Sequence, residues 1–230
     1  IIKTESQPWI YDLDNYSINY DMINLEDYFS LYENGYPSRI SYDYPGSHRN
    51  VSMVTSRGCP YKCTFCSINI HMGYAFRWHE AENIVNHIKT LVEKYDVRHF
   101  HFEDDNLTLH LPRFKKILSG IIDNKLNITW DTPNGVRADL IDRETVSVSK
   151  ESGCIYLMFG IESGNQQVVN EIVKKDIDLT KVENAAKMCF EMEIDTAAFY
   201  MIGFPGETKE NIQETYNMAF EHLKKYKTRP

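Results

Sequence analysis

Cysteine is scarce in this chain. Five occur in 230 residues, too few for a disulfide framework to be the source of stability. No apolar run approaches the roughly 20 residues of a membrane-spanning helix, so no membrane span is expected. No block of basic residues offsets a formal net charge of −8, which argues against a generic binder of nucleic acid or anionic membranes. Walker A, G-x-S-x-G and H-E-x-x-H patterns are all missing, and with them the common phosphate-loop, serine-hydrolase and zinc-protease chemistries. The absence of a secretory segment, with the low cysteine count, predicts a reducing cytoplasm. An initiator methionine is also missing, and Ile1 opens what reads as a piece of something longer.

The cysteines that are present are concentrated. Cys59, Cys63 and Cys66 stand at C-x3-C-x2-C spacing inside T-S-R-G-C-P-Y-K-C-T-F-C-S, just after a short apolar segment. Three thiolates that close together suit a soft multi-metal centre, and three is one fewer than the irons of a cubane cluster. One iron would stay open for an exogenous ligand. The competing reading is a structural zinc staple, with His71 as fourth ligand to the same three cysteines and the chain acting as an interaction module. Zinc staples more often pair two C-x2-C knuckles, and no second knuckle exists here. Cys154 and Cys189 lie in apolar patterns and read as core residues.

The chain divides near residue 48. Before it lies a stretch rich in Tyr, Asp and Asn without a sustained period, including Tyr11, Tyr16, Tyr20, Tyr28, Tyr32, Tyr36, Tyr42 and Tyr44 and punctuated by Pro37, Pro45 and Gly46. Only Ile23–Leu31 could form a short helix there. Residues 1–48 are expected to be an ordered lead-in that packs aromatics on a neighbour, because a disordered tail would hold far fewer. Residues 49–230 alternate. Strands are predicted at Val51–Thr55, Arg98–Glu103, Asn127–Thr132, Cys154–Phe159 and Ile194–Ile202. Helical spacing follows each: Ile84, Val85, Ile88, Leu91, Val92 and Tyr95; a helix opened by Pro112; a weaker one from Asp142; one with Thr180 and Glu183 as a capping box; and a last one bearing Ile212, Tyr216, Ala219, Phe220 and Leu223. Five strand–helix units specify an α/β fold, a curled parallel sheet with right-handed crossovers and ligands at the C-terminal strand ends.

The cysteine run resembles the cluster loop of the radical S-adenosylmethionine (SAM) superfamily, and segments at later strand ends extend the likeness from about Asn50 to the C-terminus. The resemblance implies a partial (β/α) barrel of six units, of which this chain would hold five, truncated at the C-terminal side. It implies a [4Fe-4S] cluster on Cys59, Cys63 and Cys66, with SAM chelating the fourth iron and yielding a 5′-deoxyadenosyl radical. By the same resemblance, Phe65 would lie near the adenine. F-E-D-D-N-L-T would place Asp104, Asp105 and Asn106 at the SAM amino group, with Asn106 where the family commonly has Glu. Arg137 in N-G-V-R-A-D would meet the SAM carboxylate, unless it forms an ion pair with Asp139 or Asp142. Glu162 and Ser163 in F-G-I-E-S-G would contact ribose or amino group, and main-chain groups around Ile202 and Gly203 the adenine.

The D-D-x-[FL]-T form of the second segment is similar to the subgroup that carries an N-terminal cobalamin-binding domain. That likeness implies cobalamin through an upstream domain, with methyl transfer or cyclisation on a small-molecule or natural-product substrate. Flavodoxin or ferredoxin is the implied electron donor. The scattered His71, His79, His99, His101 and His110 suggest no second centre, although His101, alternating with Phe100 and Phe102, could face the barrel interior.

Overall fold

The computed structural model describes residues 7–16, 18–33 and 48–230. The predicted punctuation at Pro37, Pro45 and Gly46, and Tyr36, Tyr42 and Tyr44, lies outside the described residues.

The elements run α1 (Leu25–Glu33), β1 (Asn50–Met53), β2 (Ser56–Arg57), α2 (Ile68–His71), β3 (Arg77–Trp78), α3 (Ala81–Tyr95), β4 (His99–Phe102), α4 (Leu111–Asp123), β5 (Thr129–Val136), α5 (Arg143–Glu151), β6 (Cys154–Glu162), α6 (Leu179–Glu191), β7 (Asp195–Tyr200) and α7 (Lys209–Tyr226). Five strands form one parallel sheet in the order β1-β4-β5-β6-β7, so spatial order follows chain order. Right-handed crossovers that always step in one direction keep their helices on one face of the sheet. The other face curls inward, which makes the expected partial barrel. A two-residue antiparallel pair, β2 with β3, is inserted into the first crossover. It escapes sequence analysis because two residues carry no period.

The helices form where apolar spacing demands a buried stripe. In α3 the buried positions are Ala81, Ile84, Val85, Ile88 and Leu91, repeating at three and four. Ile88 and Leu91 are completely buried, so truncating either to Ala would cost about 2–5 kcal/mol. Trp130 of β5 is the largest fully buried side chain. Its ring meets Phe102 edge-on at 5.5 Å and Phe114 at 5.9 Å, and its Nε1 donates to Ser152 Oγ at 3.0 Å. The indole thus ties β4, β5, α4 and the start of β6 into one core while keeping its polar atom satisfied.

Three expectations are corrected. First, α6 is capped by Asp178, whose carboxylate accepts from the backbone N–H groups of Thr180 and Lys181, rather than by a Thr180–Glu183 box. Second, β5 runs on past its predicted end at Thr132 to Val136, through Pro133, Asn134 and Gly135; a register shift between Thr132 and Val136 absorbs the proline. Third, α7 docks through Thr215 and His222, while Tyr216, Phe220 and Leu223 stay exposed. The reason is close approach. A Cβ on Gly164 would meet the Glu214 carbonyl and Thr215 Cα at 2.7 Å, so only a small face of α7 fits there.

Beyond α7, Arg229 pairs with β7 in the parallel sense: its N–H donates to the Thr196 carbonyl at 3.0 Å and its carbonyl accepts from Ala198 at 2.8 Å. The described lead-in residues lie on the barrel. Phe29 is fully buried beneath Arg49, Asp14 accepts from Glu80 N–H and meets His79, and Tyr20 packs on His87 and Tyr95. Tyr11, Tyr16 and Tyr28, in contrast, remain exposed.

Candidate functional site

The C-terminal strand ends surround a cavity of about 490 Å³, lined by Cys59, Cys63 and Cys66 on one side and by the ends of β5, β6 and β7 on the other. All three cysteines are free and half-buried. Burial pushes the Cys63 thiol up, and the nearby positive charges of Lys175 and Arg137 oppose that shift.

The loop that presents the thiols is held at several points. Gly58 adopts φ 84°, and a side chain there would meet the Ala75 carbonyl at 2.4 Å, so the first turn requires glycine. Gly58 N–H donates to Asp105 Oδ2 at 2.8 Å and Cys59 N–H to the Gly73 carbonyl at 3.3 Å. On the far side Thr64 N–H reaches the Val173 carbonyl at 2.9 Å, and Thr64 Oγ1 the Ile172 carbonyl at 3.0 Å. These two carbonyls lie at the end of a π-helical turn, Val168–Ile172, a geometry that often marks functional sites.

The acidic segment after β4 divides its labour. Asp104 is buried and accepts from Thr55 N–H at 3.0 Å, from Thr55 Oγ1 at 2.7 Å and from the Ser56 hydroxyl. Burial pushes its carboxyl up, against those hydrogen bonds and the charge of Arg113. Asp104 and Asp105 therefore anchor backbone around the loop, although both line the cavity. Asn106 is different. Its Nδ2 reaches Cys59 Sγ at 3.6 Å, and its Oδ1 is buried without a partner. An orphaned acceptor beside a thiol, in a cavity wall, fits a ligand that brings a donor.

Arg137 lines the cavity but its guanidinium is already committed. It forks onto Asp139 at 3.2 and 2.9 Å, donates to the Lys175 and Asp176 carbonyls at 2.7 Å each, and stacks 3.9 Å above the Tyr61 ring. Of the two roles open to it, the structure places it in the ion pair with Asp139. Its effect on the cavity passes through Lys175, which sequence reasoning missed. Lys175 Nζ lies 2.7 Å from Glu162 Oε1, both side chains nearly buried and both on the cavity wall.

Phe65 also lines the cavity, half-exposed and 6.2 Å from Phe204. Three predicted positions fall elsewhere. Ser163 is buried against Thr215 at 3.1 Å, fastening β6 to α7. Ile202 and Gly203 lie past the rim, where Gly203 N–H is held by Glu207 at 2.6 Å, and Phe199, Tyr200 and Met201 take their place in the wall. The shift follows from β7 ending at Tyr200 instead of Ile202.

The geometry gives no support to a zinc staple. A single tetrahedral zinc draws sulfurs to about 3.8 Å of one another. Among the described residues the one His/Cys/Asp/Glu cluster with donors all within 4.8 Å is His99, His101 and Asp131, and the cysteines are not part of it. His71 is exposed and outside the cavity lining. The three cysteine sulfurs do not all lie within 4.8 Å of one another.

Comparison with known proteins agrees. The profile of the Radical SAM superfamily matches residues 53–219. The chain is 29% identical over 204 residues to cytidylyl-2-hydroxyethylphosphonate methyltransferase of Streptomyces wedmorensis, covering 86% of this chain and 37% of that protein. It is 26% identical over 219 residues to anaerobic magnesium-protoporphyrin IX monomethyl ester cyclase of Rubrivivax gelatinosus, covering 95% and 37%. Among solved structures, the radical S-adenosylmethionine methyltransferase TsrM of Kitasatospora setae, with cobalamin and a [4Fe-4S] cluster bound, superposes with a TM-score of 0.67 at 18% identity, covering 74% and 34%. The chain thus spans less than half the length of these relatives.

Proposed function

The chain belongs to the radical SAM superfamily, and from that premise we propose that Cys59, Cys63 and Cys66 hold a [4Fe-4S] cluster, with SAM in the adjoining cavity. The observation that carries this reading is Asn106, whose Oδ1 is buried, unpartnered and in the wall beside Cys59. The cluster with SAM would supply reductive cleavage of SAM to methionine and a 5′-deoxyadenosyl radical, or support cobalamin-dependent methyl transfer.

The chain's own residues do the rest. Asn106 Oδ1 would accept from the SAM ammonium, a charge-assisted bond that repairs its missing partner. Lys175 is the cation placed to receive the SAM carboxylate, since Arg137 is spent on Asp139 and on the backbone that positions Lys175. Glu162 orients Lys175 and keeps an oxygen for a ligand hydroxyl or ammonium. Phe65, Phe199 and Met201 give apolar surface for the adenine and shield the site from water.

The finer reading rests on kinship. Two relatives are named as a methyltransferase and a cyclase, and one structural neighbour is solved with cobalamin. We take residues 1–48 as the lead-in from an upstream cobalamin-binding domain, residues 49–230 as most of the radical SAM core, and the substrate as a small molecule, with a flavodoxin or ferredoxin as electron donor.

The test is an anaerobic reconstitution with iron and sulfide, followed by EPR of the reduced protein with and without SAM. A cluster signal that shifts on SAM addition and vanishes in Cys63→Ala is expected. A colourless protein holding one tight zinc on the cysteines would overturn the reading.

A further inference from the structure

The face of the sheet turned away from the helices holds a second constellation. His99 and His101 lie two residues apart on β4, on the side opposite Phe100 and Phe102, and Asp131 is the register partner of His101 on β5. All three are at least nine-tenths buried, with side-chain exposures of 3, 9 and 2%. None of them lines the cysteine cavity. The two imidazoles meet edge-on at 4.6 Å, and each addresses one oxygen of the same carboxylate: His101 Nδ1 at 2.7 Å from Oδ1, His99 Nε2 at 3.3 Å from Oδ2.

A buried carboxylate needs a compensating positive charge. Among the described residues Asp131 has no Lys or Arg in contact, only the two histidines. The second face of His99 narrows the choice further. Its Nδ1 lies 2.8 Å from Thr129 Oγ1, whose hydroxyl is within 3.4 Å of the Arg98 carbonyl. A hydroxyl that donates to that carbonyl must accept from His99 Nδ1–H. In that tautomer the Nε2 lone pair faces Asp131 Oδ2, where a proton or a metal cation can bridge the two. An outer hydrogen bond that fixes the tautomer is also what metal-bound histidines usually have.

We propose that His99, His101 and Asp131 form a mononuclear site for one divalent first-row cation of the zinc or iron(II) class, separate from the cysteine cavity. Two imidazoles with one carboxylate are a donor set for these metals. Donors about 2.0–2.2 Å from a tetrahedral cation stand roughly 3.3–3.5 Å apart, and the His99–Asp131 separation is already 3.3 Å. The shorter His101–Asp131 contact is a proton-bridged edge that opens by about half an ångström when a cation replaces the proton. The residual exposure of His101 gives the ion its way in.

The test measures zinc. The chain with its cluster reconstituted is incubated with zinc, desalted, and analysed for zinc and iron. One zinc per chain is expected, retained in Cys59→Ser/Cys63→Ser/Cys66→Ser and reduced at least tenfold in His99→Gln and in Asp131→Asn, with iron content unchanged by the last two. Cobalt bound to the triple-serine variant should show ligand-field bands without thiolate-to-cobalt charge transfer. That spectrum decides the matter should either single variant fail to fold. Zinc that leaves with the cysteines, zinc indifferent to both substitutions in folded protein, or no retained zinc would each overturn the proposal.

Discussion

Lys175 Nζ sits 2.7 Å from Glu162 Oε1, and the backbone is left-handed at Glu162 and on either side of Lys175. Glu162 has φ 72°, and the residues flanking the lysine, Lys174 and Asp176, have φ 56° and 53°. Non-glycine residues in this region are held there at a cost of about 1–3 kcal/mol each and persist only where the surroundings over-determine them. Arg137 is what over-determines this loop, through its bonds to the Lys175 and Asp176 carbonyls. Strain, clamp and ion pair all converge on one ammonium in the cavity wall.

Replacing Lys175 with Met should therefore weaken SAM binding about 10- to 150-fold, the equivalent of losing one charge-assisted hydrogen bond at about 1.5–3 kcal/mol. Cluster content should not change. Glu162 would be left unpaired and nearly buried, so Lys175→Met/Glu162→Gln should recover stability without recovering affinity. The amplitude of the SAM-dependent EPR shift, titrated against SAM, reads the affinity. Unaltered affinity in the single variant would remove Lys175 from the site.

Gly160 provides an independent perturbation of the same pair. A Cβ there would stand 2.6 Å from Lys175 Nζ and 3.1 Å from Glu162 Oε1. Both are the far ends of flexible side chains, so Gly160→Ala should fold with little loss of stability while moving the ammonium. The expected result is a binding loss of about tenfold with a melting temperature near that of the parent. A melting temperature that collapses instead would show that the pair is a structural strut.

Arg137→Lys should not be a conservative change. The guanidinium makes four hydrogen bonds to Asp139 and two carbonyls, a planar fork that an ammonium cannot reproduce, with side-chain exposures of 7 and 9% in the pair. Chemical denaturation should report a loss of about 3–5 kcal/mol for Arg137→Ala and most of that for Arg137→Lys. A lysine variant of parental stability would contradict the clamp.

The sequence made the alternation of strands and helices plain because core-facing stripes such as Ile84, Ile88 and Leu91 leave a period that composition cannot hide. The cysteine loop was as plain, since its spacing is its chemistry. Lys175 was not. In V-K-K-D it reads as one of a solvated charge run, and only the left-handed backbone of Lys174 and Asp176 turns this lysine inward. Arg137 was visible but its partner was undecidable, because a fork that fits a ligand carboxylate fits Asp139 equally well. His99 and His101 alternate correctly for one face of a strand, but their third partner lies thirty residues on, at Asp131, and strand register is not written in local sequence. The inserted β2–β3 pair and the π-turn are too short to carry any pattern.

Thiol chemistry should split the cysteines into two classes. Cys154 and Cys189 are buried in the core; burial alone pushes the Cys189 thiol to about 12, and burial, with the neighbouring Cys189 and Asp131, pushes Cys154 well above its ordinary value. The reactive species is the thiolate, so neither should alkylate in folded protein near neutral pH. Iodoacetamide treatment of cluster-free protein, followed by peptide mass mapping, should label Cys59, Cys63 and Cys66 and spare the other two until denaturant is added. Labelling of Cys189 in the native state would refute its burial in the core.

Two histidines, His222 buried and His87 half-buried, should make stability fall on mild acidification. His87 has a buried Nε2 without a partner, and burial, reinforced by the charge of His79, lowers its pKa below the ordinary 6.5. His222 is 3% exposed and takes the Tyr200 hydroxyl on Nδ1 at 3.0 Å; burial lowers it too, against the pull of Glu183. A histidine depressed in the folded state binds its proton more readily when unfolded. Its contribution is therefore complete above 6.5 and declines as pH falls through the ordinary value toward the folded one. Melting temperatures taken from about pH 7 to about pH 5 should drop more steeply in the parent than in His87→Gln/His222→Gln, because the double variant has lost both proton uptakes on unfolding. Parallel curves would mean that neither imidazole is held neutral by its burial.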